Sequence, residues 1–173
     1  MSTQYLILAG LFVTALFIRT GYELLKEAKK ADPGNKRVFA IIFGVMCMLW
    51  MSWFSLCTLD PILLNLPSAV RWAGLAMFAG GMILAFRALF QLRGLENIDH
   101  LVTSGLFARL RHPMYTGFML WTAGWSLLHD AVLSLLVGLP GIANILYWRR
   151  LEDKRLLAQF GDTYRRYSQR TWF

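Results

Sequence analysis

The chain has 173 residues, of which 57% are apolar, 14% aromatic and only 16% charged, with a formal charge of +8. That length allows one domain, or two very small ones. The apolar share exceeds the ~45–50% of soluble globular chains and the charged share falls below their ~25%, which excludes a disordered protein and argues against both an ordinary soluble domain and a nucleic-acid binder. Cys47 and Cys57 share one apolar stretch, so neither a disulfide framework nor a Cys/His metal spacing is available.

The first apolar run covers residues 5–18. No basic residue precedes it and Arg19 follows it, the reverse of a cleaved signal peptide, so it is expected to be a retained first span. The second run, 38–58, carries no charge over 21 residues and is long enough to cross a hydrocarbon core of about 30 Å. The third, 72–86, is bounded by Arg71 and Arg87, whose stems can snorkel to opposite interfaces and extend the span to about 69–90. It carries two small-xxx-small pairs, Ala76/Gly80 and Gly81/Ala85, which predict close helix–helix contact. The fourth run, 114–128, has Gly117 and Gly124 seven apart and is short unless its helix starts near Arg111. Only His129 and Asp130 separate it from the fifth run, 131–148, so the two predict a tight helical hairpin.

The basic residues sort by side. Segment 19–37 carries six, 91–113 carries three and 149–173 carries seven, whereas the connections 59–68 and 129–130 carry none. Alternate loops are basic and empty, the positive-inside pattern. The expectation is an all-α integral membrane protein of five transmembrane helices, N-terminus outside and C-terminus in the cytoplasm. After the fifth span, Leu156, Leu157, Phe160, Tyr164 and Tyr167 recur at helical spacing, and Gly161-Asp162 reads as a helix stop. A cytoplasmic amphipathic helix on the membrane surface is expected there, its basic side toward lipid headgroups. One membrane-embedded domain, 1–173, is expected, with two N-terminal spans in 1–68 and a binding core in 69–173.

Chemistry needs polar groups, and they gather on the cytoplasmic side in segments 99–115 and 148–155. If the fourth and fifth spans form a hairpin, its open ends bring these segments together. Pro113 suits the N1 position of a helix, where its missing N–H costs nothing. The helix so opened presents free N–H groups that attract a carboxylate or phosphate, beside the charges of Arg109 and Arg111. The ring of Tyr115 offers a face to a cation. Glu152 and Asp153 sit among Arg149, Arg150, Lys154 and Arg155, either as an interfacial ion-pair network or with one carboxylate free to bind ribose hydroxyls or an ammonium group.

Four strings carry a resemblance: Leu101-Val102-Thr103-Ser104-Gly105-Leu106-Phe107; Arg111-His112-Pro113-Met114-Tyr115 with Gly117; Glu152-Asp153 with Leu156; and Phe160-Gly161 with Tyr164 and Tyr167. Together they resemble the isoprenylcysteine carboxyl methyltransferase family, membrane enzymes that use S-adenosylmethionine. The likeness covers about 71–167 and is strongest in 99–167. Phospholipid methyltransferases and the C-terminal part of membrane sterol reductases share the pattern more loosely. The resemblance implies a cofactor pocket formed by Asp99, His100, Leu101, Val102, Phe107, His112, Pro113, Met114, Tyr115 and Glu152; Arg111, charged beside the helix start, is expected to join it on the cofactor's carboxylate, and His112 and Arg149 are the expected catalytic residues. The family's acceptor-side arginine stands four residues before the glutamate, where this chain has Trp148; Arg149, three before, can take the same helical face. The family often has Tyr where Phe107 stands and a Glu-Glu pair where Glu152-Asp153 stands.

The implied activity is methyl transfer from S-adenosylmethionine to a hydrophobic, lipidic or prenylated acceptor. Transfer from a sulfonium needs alignment more than acid–base machinery. A base role for His112 arises only with a thiol or amine acceptor. Two other readings remain: an NADPH-dependent reductase of the sterol-reductase type, with the basic residues near Arg109 and Arg111 on the extra phosphate, and a non-catalytic membrane protein. Nothing in the chain separates prenylcysteine from another lipid, thiol or amine acceptor.

Overall fold

A computed structural model describes residues 2–32, 34–92 and 100–173. The predicted site residue Asp99 lies outside the described residues. The chain folds as α1 (Thr3–Glu27), α2 (Lys36–Thr58), α3 (Ser68–Leu92), a short 3₁₀ turn (Gly105–Ala108), α4 (Pro113–Leu128) and α5 (Val132–Ser168). Among the described residues there is no strand, only the isolated bridges Leu63–Ala131 and Leu110–Trp172.

Local chemistry explains the helix starts. The Ser2 hydroxyl accepts from the backbone N–H of Tyr5, and the Asn35 side chain from that of Arg37. Pro113 opens α4 at N1 behind His112 at the N-cap. The residue preceding α5, Ala131, has no side chain to cap with. Asp60, from the α2–α3 connection, takes over: its Oδ2 accepts from Ser134 N–H at 2.5 Å while Oδ1 accepts from Ile62 N–H at 2.8 Å. Asp130 binds the same connection through Leu66 N–H and faces Arg71 Nε at 3.4 Å.

Among the described residues, four helices (α1, α2, α3 and α5) are long and apolar enough to cross a membrane. Their outward faces carry large apolar side chains, among them Phe17, Met51, Trp72 and Phe90, as a lipid environment requires. The chain is an integral membrane protein. The expected fifth span is α4, whose 16 residues cover about 24 Å, short of a full ~30 Å core. Only three residues separate α4 from α5.

The most extensive packing joins α3 and α4. Gly74 lies against Gly124, and Gly81 against Gly117, so the two helices run antiparallel with backbones touching. Of the two small-residue pairs on this helix, Gly81/Ala85 meets α4, whereas a Cβ at Gly80 would find open space. α1 and α2 form a second pair, and α5 packs against α4, α1 and α2. Trp53, Leu49, Phe12 and Trp148 fill the core between them, with the Trp53 ring seated against Gly138.

Candidate active site at the charged end of the bundle

From Val132 to the residue before Gly161, α5 rises about 43 Å. Its apolar part ends near Trp148, so the helix continues past the hydrocarbon core and carries Arg149, Glu152, Asp153 and Arg155 beyond it. Its first stretch runs alongside α4, which brings these residues to the start of α4.

His112 is the centre of what results. It is buried, with its side chain 2% exposed. Its Nε2 lies 2.7 Å from Asp153 Oδ1, and its Nδ1 lies 4.0 Å from Glu152 Oε2. Arg111 Nε stands 3.5 Å from Asp153 Oδ1, and Arg149 Nε 3.6 Å from Oδ2. Both Nε atoms are buried and lack a hydrogen-bond partner among the described residues. The His112 and Tyr115 rings lie 5.7 Å apart. Tyr115 is buried next to Glu152.

The tail closes over this group. Gly161 adopts φ +51°, which breaks the regular helix and turns the last segment back. Tyr164 then donates its hydroxyl to Asp153 Oδ1, and Tyr167 donates to the carbonyl of Phe107 at 2.8 Å. Two residues of the apolar periodicity expected of a surface helix thus face the protein. Past the helix, Arg111 N–H donates to the Trp172 carbonyl and Trp172 N–H to the Arg109 carbonyl. This pairing sets the Phe173 ring 4.2 Å from the Arg149 guanidinium and edge-on to His112. Burial works against the Asp153 charge, but hydrogen bonds from His112 and Tyr164 and the nearby Arg111 outweigh it and hold the carboxyl below its ordinary value. Burial pushes the Tyr164 and Tyr167 hydroxyls up, Tyr167 to about 12, so both stay donors.

α1 reaches the same end. Glu23 is fully buried; Arg19 approaches it at 2.5 Å, Lys26 at 3.1 Å and Arg155 of α5 at 2.8 Å. Trp148 donates its indole N–H to Thr20, and the Arg19 guanidinium lies over its ring. Trp148 is therefore a packing anchor for α1, and Arg149 points to Asp153 instead.

Of the predicted site residues, the fold unites Arg111, His112, Tyr115, Arg149 and Glu152. Pro113 is buried, Met114 packs on the core and Phe107 joins through Tyr167. His100 is exposed, Leu101 and Val102 are half-buried, and among the described residues no hydrogen bond links them to the cluster. The Arg109 side chain is exposed. Sequence reasoning assigned no specific role to Asp153, Tyr164 or Phe173. The first two had a signal: Asp153 stands four residues after Arg149, and Phe160-Gly161 with Tyr164 is a spaced motif that a turn back at glycine explains. Phe173 had none.

A family model described as phospholipid methyltransferase matches residues 69–163, more than half of the chain. The chain belongs to the phospholipid methyltransferase family. The matched stretch runs from α3 through Thr163 and contains Arg111, His112, Glu152 and Asp153. Among curated proteins, this family member is 33% identical over 82 residues to a protein-S-isoprenylcysteine O-methyltransferase of Schizosaccharomyces pombe, covering 43% of this chain and 33% of the relative. It is 30% identical over 142 residues to a methanethiol S-methyltransferase of Pseudomonas deceptionensis, covering 75% and 53%. The resemblance to isoprenylcysteine methyltransferases thus stands. The chain spans a third to about half the length of these relatives. No solved structure matches it.

Proposed function

We propose that the chain is a membrane methyltransferase that moves a methyl group from S-adenosylmethionine to a hydrophobic acceptor. The observation that carries this reading is the single cluster in which α4's uncapped N-terminus, Arg111, His112 and Glu152 meet, inside the family-matched stretch. The donor set fits the cofactor's amino-acid end. The free N–H groups of α4 and Arg111 suit a carboxylate. His112 Nδ1 and Glu152 Oε2, two acceptors 4.0 Å apart, suit an ammonium group between them. The Tyr115 ring, buried at the same spot, suits a sulfonium.

When bound, the cofactor supplies a methyl group on a built-in leaving group. The protein's part is alignment and exclusion of water. Arg111, His112, Tyr115 and Glu152 orient the donor. Arg149 faces the acceptor, where its guanidinium pairs with a carboxylate such as that of an isoprenylcysteine-like substrate. A carboxylate acceptor needs no deprotonation, so no base is required. The positive-inside pattern supports a cytoplasmic position for this end and both its clusters. A polar cofactor then enters from water and a lipidic acceptor from the bilayer.

A thiol acceptor is the second reading. The similarity to the methanethiol enzyme extends over three quarters of this chain, beyond the binding core. Family membership weighs against the reductase alternative.

Titration calorimetry of the purified protein with S-adenosylhomocysteine tests the proposal. Binding is expected in the wild type and is lost in Glu152→Ala and His112→Ala. No binding in the wild type, or unchanged binding in both variants, refutes it. Labelled methyl transfer to a prenylcysteine, to methanethiol and to membrane lipid extracts separates the acceptors.

A further inference from the structure

His112 has two ring nitrogens, and the fold treats them differently. Nε2 faces Asp153 Oδ1 at hydrogen-bond distance, 2.7 Å. Nδ1 faces Glu152 Oε2 at 4.0 Å, too far for a hydrogen bond. An ionised carboxylate can only accept, so the short contact requires the proton on Nε2. Asp153 itself has little freedom. Tyr164 donates to the same Oδ1, Arg111 approaches that oxygen at 3.5 Å, and Arg149 approaches Oδ2 at 3.6 Å. These partners come from three places: the segment before α4, the preceding turn of α5, and the stretch after the Gly161 break. Asp153 is thereby fixed more firmly than a single ion pair would fix it.

We infer that Asp153 is a positioning residue that locks His112 in the Nε2–H tautomer, so that His112 offers an Nδ1 lone pair toward Glu152. The gap between Nδ1 and Glu152 then accepts a hydrogen-bond donor and rejects a second acceptor. The opposite tautomer would place an N–H there and cancel half of the ammonium site. This inference rests on the reading of His112 and Glu152 as cofactor-binding residues. It adds how the histidine is kept competent and why the turned-back tail matters to the site.

The test is nitrogen NMR of histidine-labelled protein without cofactor, with the His112 signals identified by their loss in His112→Gln. The wild type is expected to show protonated Nε2 and unprotonated Nδ1. Asp153→Asn keeps a carbonyl acceptor and is expected to retain that signature, with S-adenosylhomocysteine affinity within about threefold of wild type. Asp153→Ala is expected to mix the tautomers and weaken that affinity roughly tenfold, the scale of a lost hydrogen bond to a charged group. A proton on Nδ1 in the wild type overturns the inference, and so does an unchanged signature and affinity in Asp153→Ala. A wild-type signature that Asp153→Ala abolishes, in a protein that binds no S-adenosylhomocysteine, upholds the tautomer lock and refutes the methyltransferase reading.

Discussion

Adding one methyl group at the α3–α4 crossing should force the two helices apart. A Cβ at Gly124 would meet the Phe78 nitrogen at 2.5 Å and the Gly74 carbonyl oxygen at 2.6 Å; one at Gly81 would meet the Gly117 carbonyl at 2.7 Å and Trp121 N at 2.8 Å. These are backbone atoms, which cannot swing aside like a side chain. Restoring an ordinary separation of 3.4 Å takes about 0.6–0.9 Å of movement, and a gap of that size along the rest of the crossing forfeits roughly a quarter to a half of each dispersion contact. In lipid no hydrophobic force between helices offsets such a loss. Overpacking of this kind costs about 1–3 kcal/mol, partly countered by the ~0.5–1 kcal/mol that alanine gains over glycine in a helix. Gly124→Ala and Gly81→Ala should therefore melt several degrees below wild type in detergent, followed by tryptophan fluorescence. Gly80→Ala, one residue away with open space around its Cβ, should melt at or slightly above wild type. Equal melting of all three variants would refute the close-crossing argument.

Two further outcomes follow from the charged end. Glu23→Gln leaves Arg19, Lys26 and Arg155 facing a neutral amide; because Arg155 is partly exposed, the loss should fall near the low end of the ~3–5 kcal/mol for a broken buried pair, read as a lowered melting temperature that Glu23→Asp largely spares. The Asp153 carboxyl sits below its ordinary value of 3.8 in the folded protein. Its contribution is then fully present above that value and disappears as pH falls through its lowered folded value. Proteolysis of the tail after Gly161 should accelerate in that acid range, and Asp153→Asn should remove the pH dependence.

The helices were largely legible from hydropathy. The charge-free run 38–58 became Lys36–Thr58, the snorkel-extended 69–90 became Ser68–Leu92, and Pro113 opened α4. The misses have a common cause: a charge ends an apolar run without ending a helix. α1 continues nine residues past Ile18 because Arg19 and Glu23 pair across one turn and stay buried. α5 likewise continues past Trp148 to the Gly161 break. His112 and Glu152 were legible because their motif is local. The bond from His112 to Asp153 was not, since it joins residues 41 apart in sequence, and only packing decides which of two adjacent carboxylates faces the ring. Tyr164 and Tyr167 registered as periodic apolar positions, a pattern blind to where their hydroxyls point.

Asp60 pins the first turn of α5 at the far end of the bundle. From Val132 to Glu152 the helix rises about 30 Å without a described break, close to the thickness of a hydrocarbon core. The helix therefore works as a ruler. With one end tied to the far-side connection, the depth of His112, Glu152 and Asp153 relative to the headgroups is set by helix length and not by a flexible loop. In a thicker bilayer the same ruler draws these charged groups toward hydrocarbon, and the protein must tilt less or thin the lipid around it to keep them wet.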